Sequence, residues 1–241
     1  MDISQYEFMV VAAAREIRDG ELVFVGMRLP LLAFNLAKSL WAPNAVGIFE
    51  AGLMRENVCL EYTHTMCDLP FQTGASWLTG LLEVMACLQR GEVDVGIIGG
   101  AQVDSLGNVN STLVRINERE RRLPGSGGAC DIATLSRRLI IIMPLESRRI
   151  RKRVDYITSP SRAREITLVT DKAVFKKYSN ERLRIAGVYQ GVEPEEVSSE
   201  AGEIISEEDV EEVGEIKPPT QEELRVLRRL DKEGFWTRRR G

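Results

Sequence analysis

One carboxylate and several glycine-rich segments are the parts of this sequence best suited to chemistry. Glu50 ends the apolar run Val46–Phe49 and is followed by Ala51 and Gly52. A glutamate is already anionic at neutral pH, and carboxylates form covalent intermediates in some enzymes. The backbone N–H groups of a glycine-rich loop such as "PGSGGACD" (124–131) can stabilise the oxyanion formed when a carbonyl is attacked. Acyl transfer without histidine is therefore one interpretation, and a surface glutamate beside ordinary turns is the other.

Other catalytic and binding motifs are not supported. The sequence has a single histidine, His64, which favours neither a zinc cluster nor a Ser-His-Asp triad. "GSGGA" lacks the spacing of a dinucleotide-binding loop, and the sequence contains no P-loop motif. "DSLGNVN" (104–110) fails the calcium-loop pattern and predicts a turn between strands. We therefore predict no metal and no tightly bound cofactor.

Composition and charge suggest one α/β domain with an appendage. The chain has 241 residues, of which 44% are hydrophobic and 28% charged, as in ordinary globular proteins. Net charge is −4, but residues 193–215 hold eleven acidic residues and no Lys or Arg, which is typical of a solvated or mobile surface. The densest basic run, "RRIRKR" (148–153), predicts a solvated strand edge, with a phosphate-bearing small ligand as the alternative. No aromatic residues or known module support nucleic-acid binding.

The cysteines and the N-terminus predict a cytoplasmic protein. The cysteines show neither a C-x-x-C pair nor the spacing of a disulfide framework, so reduced thiols are expected at Cys59, Cys67, Cys87 and Cys130. Acidic residues among the first apolar residues argue against a signal peptide, and no apolar run has the length of a membrane span.

The order of elements predicts an open, mostly parallel sheet with flanking helices. Helix, strand, helix and strand follow one another with short connections, the pattern of a βαβ fold; the ranges are 6–18, 22–26, 31–41 and 46–49. A further helix and strand are predicted at 76–91 and 93–101. More strands are expected at 139–146 and 154–160, and hairpin strands at 166–177 and 183–191. The predicted division is an α/β domain over residues 1–192 and an acidic, partly helical appendage over 193–241.

In such sheets ligands bind beyond the carboxyl ends of the strands. Three strand ends carry unusual residues there, at 26–30, 50–52 and 99–102, and the loop 124–131 adds a fourth glycine-rich segment.

Taken together, five motifs resemble the class I coenzyme A transferases, most closely the β (B) subunits of the glutaconate CoA-transferase type. They are "VGMRLPLLAFNLAKSLWAPN", "FEAGLM", "IIGGAQVDSLGNVNST", "GSGGACDIATLSRRLIIIM" and "VDYITSP", in the family's order and over roughly residues 5–200. The resemblance implies a CoA-transferase (NagB-like) α/β fold. It also implies that Glu50 is the covalent nucleophile, although Ala51 replaces the family's usual Ser or Asn. The matching loop glycines are Gly127 and Gly128, and the segment close to them is Gly99, Gly100 and Ala101.

The same resemblance implies a partner and a substrate. The site would lie between this chain and a separate α-type subunit, in a heterotetramer or larger assembly, and a CoA thioester would be a substrate rather than a bound cofactor. Arg28 remains unassigned. Two alternatives stay open: an acyl-CoA hydrolase of the same family, and a non-catalytic subunit of a larger complex. The resemblance suggests a dicarboxylate substrate without identifying it.

Overall fold

The computed structural model describes residues 3–60, 65–117, 119–179, 181–202, 204 and 213–237, and His64 lies outside these ranges. Strands are numbered in chain order. They are β1 (Leu22–Val25), β2 (Val46–Phe49), β3 (Leu53–Arg55), β4 (Trp77–Leu78), β5 (Val95–Gly99), β6 (Gln102–Asp104), β7 (Val109–Asn110), β8 (Leu113–Ile116), β9 (Arg119–Arg122), β10 (Arg138–Ile142), β11 (Ile150–Arg151), β12 (Glu165–Val169), β13 (Ala173–Tyr178), β14 (Arg184–Tyr189) and β15 (Glu215–Ile216).

The helices flank one large sheet. They are α1 (Gln5–Arg15), α2 (Leu29–Leu40), α3 (Leu69–Gln72), α4 (Leu81–Gln89), α5 (Ala129–Leu135), α6 (Pro194–Ala201) and α7 (Gln221–Leu230), followed by a 3₁₀ turn over Lys232–Gly234. The ten-stranded sheet has the order β15-β14-β13-β12-β10-β5-β1-β2-β3-β4. Its centre, from β12 to β2, is parallel, whereas β3, β4, β13 and β14 are antiparallel to their inner neighbours. The predicted fold class is confirmed.

Both faces of the central strands are buried, and alternate side chains enter two different cores. On β1, Val23 and Val25 pack with α1 and α2, while Phe24 faces the core formed with α4 and α5. This follows from the two-residue period of a strand and explains why the central strands are continuous apolar runs. Two smaller sheets, β11-β6-β7 and β8-β9, lie outside the main sheet.

Two predicted elements differ from the structure. The helix expected over residues 76–91 begins only at Leu81, because Trp77 and Leu78 pair with β3 and extend the sheet instead. The strand expected over 154–160 is wrong: within that segment only Ser159 makes a bridge, with Val109. The hairpin over 166–191 and the turn over 104–110 are confirmed.

Residues after Glu193 add to the sheet and to one helical layer. β15 pairs with β14, and α7 packs on α1 and α2. Ion pairs join α7 to α1, with Arg15 on Glu223 at 2.7 Å and Arg228 on Glu7 at 2.6 Å. The domain boundary at 192/193 stays a prediction. No helix in the described ranges is both long and apolar enough to cross a membrane.

Candidate active site

The candidate site lies at the carboxyl edge of the parallel strands. β1 lies between β2 and β5, with Phe24 in register with Ile48 and Val25 in register with Ile97. Glu50 follows the last residue of β2, and Gly99 is the last residue of β5. The chain therefore brings both segments to one edge, two strand spacings or roughly 10 Å apart.

A tight turn presents Glu50. The Gly52 N–H donates to the Phe49 carbonyl at 3.0 Å, and the buried ring of Phe49 anchors the turn in the core. Gly52 has φ +84, and a Cβ there would lie 2.5 Å from the Thr79 carbonyl oxygen. Its missing side chain therefore admits this chain's own backbone at 79–80. This corrects the interpretation in which the bareness of Gly52 leaves room for a ligand.

The glycine-rich loop lies directly against the Glu50 carboxylate. The Gly128 N–H donates to Glu50 Oε1 at 3.0 Å. A Cβ on Gly128 would lie 3.1 Å from Oε2 of the same carboxylate, and one on Gly127, whose φ is +50, would lie 3.4 Å from Oε1. Glycine thus lets the loop backbone reach a carboxylate that any larger residue would crowd. A backbone donor aimed at a nucleophile's oxygen can stabilise negative charge that develops there.

The segment Gly99–Ala101 supports the site from the side. A Cβ on Gly100 would lie 2.4 Å from Val109 Cγ1, so this glycine permits close packing. The Ala101 N–H donates to the Asn110 carbonyl at 2.9 Å, and Gly99 is exposed at the edge. The described contacts of Glu50 are to Gly127 and Gly128, with β1 intervening between Glu50 and Gly99–Ala101.

Arg28 has a feature that its sequence position does not signal. It lies just after β1, at the same edge as Glu50, with φ +67 and ψ −120, and it caps α2. Backbone conformations of this kind are costly for a residue with a Cβ and concentrate at functional sites. The exposed guanidinium lies 5.3 Å from the ring centre of Trp236, so the end of the chain contacts this edge.

The basic run 148–153 forms the rim of a separate depression. Glu146 receives hydrogen bonds or ion pairs from Arg148 Nε at 2.5 Å and Arg149 Nε at 3.2 Å. Burial acts to raise the pKa of Glu146, but the two guanidinium groups outweigh it and lower the pKa. The carboxylate therefore stays ionised and orients both arginines. Ile150 and Arg151 form β11, paired with β6, so the run does include a strand edge.

Metal chemistry has no visible centre within the described ranges. There, no three His, Cys, Asp or Glu side chains are grouped so that they could hold a metal ion. The cysteines are unpaired in disulfides: Cys59 and Cys87 are buried, Cys130 is half-buried and Cys67 is exposed.

Known proteins share both the sequence and the fold. Residues 6–200 match the family model described as "Coenzyme A transferase". The chain belongs to the coenzyme A transferase family. It is 31% identical to the β (B) subunit of 3-oxoadipate CoA-transferase from Pseudomonas knackmussii, over 95% of this chain and 93% of the relative. It is 33% identical to the β (B) subunit of glutaconate CoA-transferase from Acidaminococcus fermentans, over 92% of this chain and 90% of the relative.

A solved structure agrees with the sequence relationship. The crystal structure of glutaconate coenzyme A-transferase from Acidaminococcus fermentans superposes with a TM-score of 0.87 at 28% identity, covering 99% of this chain and 98% of that one. The resemblance inferred from the five sequence motifs is thus confirmed at the level of the coenzyme A transferase family and its B-type relatives.

Proposed function

We propose that this chain is the B-type subunit of a coenzyme A transferase that moves CoA from an acyl-CoA to a carboxylic acid through a thioester on Glu50. The observation that carries the proposal is the Glu50 carboxylate at the carboxyl edge of the sheet, 3.0 Å from the Gly128 N–H and faced by two glycines. Family membership supplies the substrate class, since the family is named for transferring coenzyme A.

The reaction can be written with every bond balanced. A Glu50 oxygen attacks the thioester carbon, the C–S bond breaks, and an acyl-glutamyl anhydride and CoA thiolate result. The thiolate then attacks the glutamyl carbonyl, expelling the first carboxylate and leaving a glutamyl-CoA thioester. An incoming carboxylate attacks that thioester to form a new anhydride. The released thiolate attacks its acyl carbon, giving the new acyl-CoA and free Glu50. No ATP is consumed, because the energy of one thioester is passed to the next.

Gly128 has a defined part in this scheme. When the thiolate attacks the glutamyl carbonyl, negative charge develops on a Glu50 side-chain oxygen. The Gly128 N–H already donates to Oε1, so it is positioned to stabilise that charge without reorganisation. Water must be kept from the intermediate, since its attack would turn the transferase into a hydrolase.

The B-type relatives support a second subunit for this chain. We propose an α-type partner that completes the site, in a heterotetramer or larger assembly. The chain presents exposed apolar side chains on the edge strand β4 and the starts of α3 and α4, namely Leu69, Trp77, Leu78, Leu81 and Leu82. The backbone of residues 79–80 packs against Gly52, so this apolar edge adjoins the Glu50 turn. A subunit seated there would cover both.

The test is an assay of the complex with an acyl-CoA donor, with and without a series of carboxylic acids. The proposal predicts acyl-CoA formation that depends on the acceptor and little CoA release without one. Glu50→Gln keeps the shape and an acceptor oxygen for Gly128 but removes the nucleophile, so turnover should fall by a factor on the order of 10³ or more. Rapid CoA release without acceptor would instead establish a hydrolase, and full activity in Glu50→Gln would remove Glu50 from the chemistry.

A further inference from the structure

A cavity of about 330 Å³ lies between the small sheet β11-β6-β7 and the β8-β9 hairpin. Its rim is rich in cationic side chains, contributed by Arg115, Arg148, Arg149 and Arg151. Small-molecule sites occupy roughly 300–1,000 Å³, so this cavity has room for part of a large ligand rather than the whole of one.

The surroundings are the basic part of an acidic protein. Residues 115–122 carry four arginines and two glutamates, and residues 146–155 carry five cations and two carboxylates. These two segments therefore contribute a net charge of +5 to a chain whose total is −4. Clefts lined by one sign of charge concentrate ligands of the opposite sign.

The arginines are arranged for an anion rather than fully neutralised. Arg148, with 76% of its side chain exposed, and Arg149 share the single carboxylate of Glu146. Arg115 pairs with Glu120, with both side chains 57% exposed at 3.2 Å, an ion pair that solvent screens strongly. Guanidinium groups form paired hydrogen bonds to phosphate, which makes arginine the usual residue for phosphate recognition.

The opposite wall is apolar. Val114, Ile116 and Leu123 line it, and Ile116 is 46% exposed although it is a large apolar residue. A flat ring with a phosphate attached would satisfy both walls at once, the ring on the aliphatic side chains and the phosphate on the arginines.

One continuous segment links the cavity to Glu50. Leu123 lines the cavity, and Gly128 donates to the Glu50 carboxylate. Five residues separate them, so their Cα atoms are at most about 18 Å apart. The strand end at Ala101 also lines the cavity, and its N–H bonds the carbonyl of Asn110, next to Ser111, whose carbonyl accepts from Gly125.

We propose that this cavity binds the phosphate-bearing nucleotide end of coenzyme A, with Arg115, Arg148 and Arg149 on the phosphates, while the pantetheine arm runs along residues 123–128 to Glu50. The identity of the ligand rests on the proposed function. Its long arm would let binding energy far from the thioester assist the chemistry.

The first test is equilibrium binding by calorimetry, using the full chain with its co-expressed partner and Glu50→Ala to prevent turnover. Probes are coenzyme A and pantetheine, which lacks the phosphates. The double variant Arg115→Gln/Arg148→Gln should weaken CoA binding at least tenfold, since each lost charge-assisted bond is worth about a factor of ten. Pantetheine binding should not change. Arg225→Gln, on exposed α7 and paired with Glu222, is the matched control and should bind CoA normally.

The second test separates phosphate recognition from recognition of the substrate carboxylate. The double variant should lose kcat/KM for acyl-CoA but keep it for the corresponding acyl-pantetheine. Equal losses for both thioesters, unchanged CoA affinity in the double variant, or no CoA binding by the unmutated complex would each overturn the assignment. Failure of Glu50 chemistry with intact, arginine-dependent CoA binding would instead reject only the proposed function.

Discussion

At the residue scale, Glu50 and Gly128 define what this site can do. The carboxylate needs an approach path for a bulky thioester and a donor for the charge that develops on its own oxygen. A single backbone N–H at 3.0 Å meets the second need, and the absence of a Cβ beside it meets the first. Any side chain on Gly128 would compete for the same space.

Substitutions at Gly128 should therefore reduce turnover in order of size. Gly128 is not at positive φ, so alanine and valine do not strain the backbone, but their Cβ would lie 3.1 Å from Glu50 Oε2. We expect Gly128→Ala to be impaired and Gly128→Val to lose about 10² to 10³ in kcat, the cost of one misplaced oxyanion donor. Steady-state kinetics and a thermal melt measure this. Unchanged turnover in a folded Gly128→Val would exclude the loop from the site.

Sequence reasoning predicted part of this site for chemical reasons. Glu50 stood out because a charge at the end of a buried run is unusual, and glycines at 127 and 128 stood out because bare backbone suits an oxyanion. Their contact is observed. Two features could not be predicted: the role of Gly52 depends on a segment nearly thirty residues later, and the positive φ of Arg28 has no local sequence signal.

At the element scale, α7 is fixed to the core through buried charge. Glu223 is both the N3 residue of a capping box with Thr220 and the partner of Arg15, at 2.8 and 2.7 Å. Burial acts to raise the pKa of Glu223, but the bonds from Arg15 and Thr220 outweigh it, so the pKa is lowered. The docking of α7 should then depend on pH.

The sign follows from the lowered pKa. The stabilisation from Glu223 is complete above the ordinary carboxyl pKa of about 4.3 and is lost as pH falls through the lower value of the folded protein. Glu223→Gln should lower the free energy of unfolding by about 1.5 to 3 kcal/mol at neutral pH. That difference should shrink in acid. Glu222→Gln, an exposed neighbour, is the control. Denaturant titrations at several pH values measure both, and a pH-independent difference would contradict the assignment.

Elements were predictable where the hydrophobic period was long and unambiguous. The central strands and the helices α1 and α2 follow from buried apolar runs, whereas residues 76–80 carry the same apolar composition as α4 yet pair with β3. Only the position of the sheet edge decides that outcome. The strand expected at 154–160 failed because most of the segment lacks a neighbouring strand to bond.

At the scale of the whole molecule, the apolar edge at β4 indicates where a partner would sit. Permanent complexes bury roughly 2,000 Å² or more, with apolar centres. Leu82, which is 77% exposed, should be covered by the α-type subunit. Leu82→Glu should therefore weaken co-purification of the two subunits and reduce activity together. Leu106→Glu changes an exposed leucine (47%) outside this edge and should leave the complex intact. Size-exclusion chromatography with light scattering decides, and equal behaviour of the two variants would refute this surface.

The central claim is that Glu50 carries coenzyme A covalently, and intact-protein mass spectrometry tests it most directly. The complex is incubated with acyl-CoA in the absence of an acceptor acid and quenched in acid. This chain should gain the mass of CoA less one water, and Glu50→Ala and Glu50→Gln should show no such gain. An adduct that persists in both variants, or no adduct in an actively transferring complex, would contradict the account.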